Sequence, residues 1–290
     1  MLSYRHAFHA ANHADVLKHL TLIACLDYLG RKPVPYLYVD THAGAGAYEL
    51  DVGYAALNAE WAGGWQRLTA EVDAPLAVAT PDLVKRYISL VDSFRQAVGD
   101  EAAYPGSPLL AASCLTPGSR AVFCELHPAD HALLAERCQR DARLQIRRED
   151  GFSSLIALLP PPTRRGLVLI DPSYELAADY TRLVVALGDA LKRFATGMYL
   201  VWYPILQRPE ALGLPGHLAA LATAAGRPWL DARLPVEATQ PGARGMSGSG
   251  IFIVNPPYTL DAELRLLLPY LSARLSQADA GWSLKAGAEA

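Results

Sequence analysis

The sequence predicts an α/β fold in which a largely parallel sheet carries helices on both faces. Three observations predict it. Five short runs, Tyr36-Leu37-Tyr38-Val39, Ala121 to Cys124, Leu167 to Ile170, Met198 to Trp202 and Ile251 to Val254, are nearly continuous in apolar residues, as strands buried on both faces are. Helix-like stretches such as Asp130 to Gln139 and Tyr180 to Phe194 lie between them, and strand-helix alternation builds parallel sheets. The chain of 290 residues is 51% hydrophobic and 19% charged, which excludes a disordered polymer and leaves one large domain or one domain with an insert.

Taken in order, residues 1 to 19 are polar and hold four histidines, without the basic-then-apolar layout of a signal peptide. No apolar run approaches the roughly 18 residues needed to span a bilayer. Cys25, Cys114, Cys124 and Cys138 show no C-x-x-C spacing and read as buried free thiols in a reducing compartment. A soluble, cytoplasmic protein is expected. From Glu49 to Ala103 no buried strand is legible, but Asn58 to Glu71 and Pro81 to Val98 are helix-like, so residues 49–103 are read as a helical insertion into a main domain of residues 1–48 and 104–290. Residues 280–290 read as a weakly ordered tail. No solenoid-type repeat is present.

The chemistry gathers at strand ends. Tyr38-Val39-Asp40-Thr41-His42-Ala43-Gly44-Ala45-Gly46 is a strand closing in a carboxylate and a glycine turn, and ligands of open α/β sheets bind at the carboxyl ends of strands. The same turn would serve in an ordinary strand-to-helix connection. It lacks the third glycine of a dinucleotide fingerprint and the Gly-Lys-Ser/Thr of a P-loop, which leaves a nucleoside cofactor whose ribose is held by a later carboxylate. Glu125 follows the second apolar run, Asp150-Gly151 follows Arg143 to Arg148, and Asp171 follows the third apolar run. Four acidic strand ends are more specific than any one. In Asp171-Pro172-Ser173-Tyr174 a carboxylate and a backbone carbonyl can accept both hydrogens of an amino group while a tyrosine ring stacks on the base that bears it; an Asp-Pro turn ending a strand is the plainer reading of the four residues alone.

At this point the sequence resembles the RlmJ family, bacterial 23S ribosomal RNA adenine-N6 methyltransferases. The resemblance runs over nearly the whole chain and rests on Met1 to Ala10 with Asn12 to His19, Asp40 to Gly46, Tyr104 to Pro108, Glu125 to Pro128, Asp150 to Phe152 and Lys192 to Gly197. It implies a class I S-adenosylmethionine-dependent methyltransferase fold, Rossmann-like, with a mostly parallel seven-stranded sheet and a small helical insert. Carried over by position, S-adenosyl-L-methionine would meet Lys18, His19, His42, Gly44, Gly46, Ser107, Glu125, Asp150, Gly151 and Asp171. Asp171, Pro172 and Tyr174 would be catalytic, and Tyr4, Arg5 and His6 would face substrate RNA. The implied target is adenine-2030 of free or early-assembly 23S rRNA, with a monomer acting and neither metal nor membrane involved.

Two departures stand out. The family pattern at the catalytic loop is Asp-Pro-Pro-Tyr, and Ser173 replaces its second proline; the lost ring loosens the loop by on the order of 1 kcal/mol without removing an amino acceptor. Ala11 stands where the family usually has glycine, which matters only if the position needs a positive φ. Asn255-Pro256-Pro257-Tyr258 imitates the catalytic motif, but it follows a strand expected in the antiparallel part of the sheet, remote from the glycine turn. His6, His9 and His13 could share a helix face, yet no acidic or cysteine ligand joins them at zincin spacing; they read as polar groups at the mouth of the site.

Alternatives remain within and outside this class. An Asp-Pro-x-Tyr grip would also suit a DNA adenine or protein glutamine methyltransferase, and Ser173 makes a non-catalytic RNA-binding protein on the same scaffold conceivable. The formal charge of -3 argues only against indiscriminate coating of nucleic acid. Residues 49–103 carry nine acidic and four basic side chains, so the rest of the chain is slightly basic. Arg137 to Arg148 holds five arginines, with Arg164-Arg165 and Lys192-Arg193 beyond it, and this clustering is expected to guide RNA to the pocket.

Overall fold

The computed structural model describes residues 5–71, 79–238, 245–276 and 281–287. Its centre is a twisted sheet of β1 (Leu37–Asp40), β4 (Arg120–Cys124), β5 (Leu144–Arg147), β6 (Gly166–Ile170), β7 (Met198–Pro204), β8 (Trp229–Pro235), β9 (Gly248–Val254) and β10 (Ser283–Gly287), in the order β10-β8-β9-β7-β6-β1-β4-β5. The run from β5 to β7 is parallel, and β9 is antiparallel to both β7 and β8. This is the expected class I methyltransferase architecture with one strand more than expected. The eighth strand corrects the reading of the C-terminus as a loose tail, since Ser283 to Gly287 pair with Arg233 to Trp229. The half-exposed Ser-Leu-Lys-Ala-Gly run has no apolar face to betray it.

Strand alternation divides the core in two. Tyr38, Leu167, Leu169, Leu200, Ile251 and Ile253 face one cluster, and Val39, Val168, Ile170, Val201, Phe252 and Val254 face the other. The second cluster is covered by α7 (Gly151–Leu158), α8 (Ala177–Arg193) and α9 (Pro209–Ala224); the first is covered by α1 (His13–Gly30), α5 (Ser107–Cys114), α6 (Pro128–Cys138) and α10 (Leu260–Leu275). Helix α1 is buried nearly all round, because α4 (Asp82–Val98) of the insertion lies on the side turned from the sheet. Asn12 caps it, its Oδ1 accepting from the backbone N–H of Ala14 and Asp15.

Residues 49–103 enter and leave through a ribbon of β2 (Ala47–Glu49) and β3 (Ala103–Pro105), in which Glu49 faces Ala103. Between them α2 (Gly53–Asn58), a 3-10 turn at Glu60–Gly63 and α3 (Trp65–Thr69) replace the single helix expected from Asn58 to Glu71. The break has a steric cause. Ala59 is left-handed at φ 46°, and Gly64 lies against the backbone of Ala11 and Asn12, where no Cβ fits. Trp65, Leu68, Tyr87 and Val91 join the same apolar cluster as α1.

The three N-terminal histidines do not share a helix. A 3-10 turn spans His6–Phe8, and α1 starts at His13. Between them Ala11 adopts φ 62° with no exposed surface, the conformation for which glycine is suited. Ala11→Gly should therefore raise stability by up to about 1 kcal/mol, measured as the shift in urea midpoint; an unchanged or lower midpoint would show that the methyl packs well enough to offset the strain.

Candidate active site

The acidic strand ends converge as their positions in a parallel sheet require. A cavity of about 530 Å³ opens between the turn after β1 and the loops after β4, β5 and β6, bordered by His42, Gly44, Glu125, Asp150, Gly151 and Asp171. Gly44 (φ 61°) and Gly46 (φ 83°) make the turn possible. Gly44 borders the cavity. Gly46 sits behind it, its carbonyl accepting from Gly106 N–H and its α-carbon near Leu134. Gly151 is needed because α7 begins against the carbonyl of Thr41, leaving no room for a Cβ.

Each carboxylate has a distinct task. Asp40 is fully buried and accepts from Ser107 Oγ (2.6 Å), Tyr38 Oη (3.0 Å) and His42 N–H (3.3 Å); burial pushes its pKa up. It orders the turn without reaching the cavity. Glu125 accepts from Gly44 N–H (2.8 Å) and His127 N–H (2.6 Å), with burial again raising its pKa. Asp150 caps α7 by accepting from Ser153 N–H (3.0 Å) and pairs with Arg182. Burial opposes its charge, but these two contacts outweigh it and hold the carboxyl below its ordinary range. The Arg182 guanidinium also lies 5.0 Å over the Phe152 ring.

Beside the turn a narrow recess is lined by Lys18, His19, Tyr48 and Ser107. His19 Nδ1 meets Tyr104 Oη at 3.0 Å, while its buried Nε2 has no hydrogen-bond partner among the described residues. Burial lowers the pKa of His19 to about 3 and that of His42 to about 4, so both rings are neutral at pH 7. A further cavity of about 180 Å³ lies across the loop after β6, bordered by Ser173, Tyr174, Trp202, Leu206, Arg208 and Met246. Asp171 and His6 are walls of all three spaces.

Asp171 is held from below. Lys18 Nζ donates to its Oδ2 (2.5 Å) and to Asp15 Oδ1 (2.8 Å), and Asp15 Oδ2 also takes the Ala11 N–H (2.8 Å) and lies 3.1 Å from His6 Nε2. Burial would discharge Lys18, yet the two carboxylates outweigh it and push its pKa up. For Asp15 burial is likewise opposed by His6 and Lys18, and the carboxyl is held well below its ordinary value. Asp171 Oδ1 has no hydrogen-bond partner among the described residues. Tyr174, at φ 55°, is 1% exposed; its hydroxyl donates to the Trp202 carbonyl and its ring packs on Tyr180.

Other expectations fare unevenly. Arg5 pairs with Asp130 (2.6 Å) and lies 5.0 Å over Tyr54, strapping the N-terminal segment from α6 to α2; Tyr4 lies outside the described residues. Part of the basic run from Arg137 is tied into the fold, while Arg140 and Arg148 are exposed. Arg137 donates to the Ala45 carbonyl, Arg143 pairs with Asp141 and Arg147 lies 3.7 Å from Glu149. Arg165 donates to the Val34 and Leu29 carbonyls. Asn255 follows an antiparallel strand and so sits at the opposite sheet edge, where its amide donates to the Ala195 (2.9 Å) and Gly197 (2.6 Å) carbonyls. Sequence reasoning missed Asp15, Arg182 and Arg208. Of these only Asp15, three residues before Lys18, carried a spacing signal.

The model described as "Ribosomal RNA large subunit methyltransferase D, RlmJ" matches residues 33–286. The chain belongs to the RlmJ family. Two relatives named Ribosomal RNA large subunit methyltransferase J support the RlmJ assignment. That of Escherichia coli (strain K12) is 40% identical over 97% of this chain and 96% of its own length, and that of Haemophilus influenzae is 38% identical over 98% of each. The crystal structure of protein LPL1258 from Legionella pneumophila superposes with a TM-score of 0.81 at 31% identity, covering 97% of this chain and 98% of that one.

Two outcomes follow from this geometry. Asn255→Ala should lower stability by about 1–3 kcal/mol through its two orphaned carbonyls while leaving methyl transfer intact; loss of transfer in a folded variant would make Asn255 part of the site. His13 and His42, lowered by burial to about 4, and His19, to about 3, titrate from 6.5 when unfolded. Below pH 6.5 the unfolded chain binds the extra protons, so stability should fall by roughly 1 kcal/mol per pH unit per histidine as pH drops from 6 to 4, partly offset by the raised carboxyls of Asp40 and Glu125. Urea midpoints that stay flat over that range would contradict the neutral burial.

Proposed function

We propose that this RlmJ protein transfers a methyl group from S-adenosyl-L-methionine to the exocyclic N6 of an adenine in 23S ribosomal RNA, adenine-2030 by family resemblance. One observation carries the reading: Asp171 is the carboxylate among the walls shared by a cavity of about 530 Å³ and one of about 180 Å³, so groups bound in the two spaces meet beside it.

The residues of the larger cavity suit the cofactor. Glu125, fixed by two backbone N–H groups, faces the place of a ribose, and Asp150 at the next strand end faces that of the adenine. The buried His19 Nε2, without a hydrogen-bond partner among the described residues, and the Lys18-Ser107 recess suit the polar methionine end. Bound there, S-adenosyl-L-methionine supplies a sulfonium methyl open to in-line attack. The smaller cavity takes the target base, which leaves its stack at a cost of a few kcal/mol. Asp171 Oδ1 and the Pro172 carbonyl accept the two amino hydrogens, directing the nitrogen lone pair at the methyl. Lys18 fixes Oδ2, so the carboxylate cannot swing away. Tyr174 closes the floor of the base cavity. The amino proton passes to Asp171 during or after transfer, and most of the acceleration comes from positioning.

Tritiated methyl transfer to RNA, DNA and protein from the same source tests the proposal. RNA alone should be labelled; Asp171→Ala should abolish labelling, and Ser173→Pro should raise kcat by a few-fold, the kinetic equivalent of about 1 kcal/mol of loop order. Label in DNA or protein instead, or full activity in Asp171→Ala, would overturn it.

A further inference from the structure

We infer that Arg208 grips a phosphate of the nucleotide whose base fills the smaller cavity, while holding the catalytic loop through the Tyr174 carbonyl. The inference rests on the base-cavity reading above and adds to it a named phosphate contact.

Arg208 lies between β7 and α9, at the sheet edge that carries Asp171, and borders the cavity of about 180 Å³. Its Nη2 donates to the Tyr174 carbonyl at 3.2 Å, and its guanidinium carbon lies 5.7 Å from the Tyr180 ring centre. The other cationic groups on this cavity are committed to carboxylates. Lys18 is bound between Asp15 and Asp171, His6 meets Asp15, and His9 meets Glu60 at 2.9 Å. Arg208 has no carboxylate within 4.0 Å among the described residues. Among the described residues its nitrogens meet the Tyr174 carbonyl and lie near the Tyr180 hydroxyl, which leaves the remaining N–H donors for a ligand.

The chemistry of the acceptor decides what that ligand is. A base inserted to meet Asp171 leaves its sugar and phosphates at the cavity mouth, the part of the nucleotide that carries negative charge. A guanidinium presents paired donors that match phosphate oxygens, and the cation–π contact with Tyr180 helps hold it at the cavity. Because one N–H remains on the Tyr174 carbonyl, phosphate binding and the position of the Asp171 to Tyr174 loop are coupled. That coupling matters more here than in a loop with two prolines, since Ser173 leaves the segment freer.

Calorimetric titration of the S-adenosylhomocysteine-loaded protein with adenosine, adenosine 5′-monophosphate and adenosine 3′-monophosphate tests the inference. One monophosphate should bind on the order of tenfold more tightly than adenosine, the scale of a single charge-assisted contact. Arg208→Ala should erase that advantage while still binding adenosine and S-adenosylhomocysteine, and Arg208→Lys should restore only part of it. An arginine that merely braced the loop would weaken all three nucleosides alike. Retention of the phosphate advantage in Arg208→Ala, or no advantage in the unaltered protein, would overturn the Arg208 assignment alone. Failure of adenosine itself to bind the unaltered protein would overturn the base-cavity reading, and this inference with it.

Discussion

A buried ammonium between two carboxylates organises this molecule. Lys18 Nζ joins Asp15 on its own helix to Asp171 on the loop after β6, and Lys18 is 3% exposed. Removing one member of such a group leaves an uncompensated charge and costs about 3–5 kcal/mol, so the arrangement fixes geometry even where its net contribution to stability is small. Through it α1 is tied to the loop after β6. Asp15 extends the linkage to the backbone of Ala11 and the ring of His6, which brings the N-terminal segment over the same carboxylate.

Residues 49–103 are part of that constraint. Helix α4 covers the side of α1 turned from the sheet, and Glu60 takes both His9 and Asn12. Gly64 then seats against Ala11 and Asn12, with Trp65 N–H donating to the Ala11 carbonyl at 2.9 Å. Residues 49–103 therefore brace the N-terminal segment, and one of their carboxylates, Glu60, holds His9.

Legibility in the sequence followed burial. The five strands buried on both faces announced themselves as apolar runs, and carboxylates at their ends predicted the cavity wall because parallel strands must deliver their carboxyl ends to one edge. Strand β10 lies at the sheet margin, where half-exposed residues carry no period, and its partner β8 is distant in sequence, whereas β5 at the other margin was legible only through the carboxylate that follows it. The basic run from Arg137 was legible only as charge, because whether a guanidinium meets a backbone carbonyl, a carboxylate or solvent is decided by tertiary packing. Arg208 was illegible because its meaning comes from Tyr174 and Tyr180, more than twenty residues away. The imitation motif at Asn255 was separable in advance by strand direction alone.

Mass-spectrometric mapping of N6-methyladenine in 23S rRNA from cells with and without this gene bears most directly on the claim that Asp171 joins a methyl donor to an adenine amine. One modified adenine should revert to unmodified when the gene is absent and return with the unaltered gene but not with Asp171→Asn. An unchanged modification pattern in the absence of the gene, or restoration by Asp171→Asn, would contradict it.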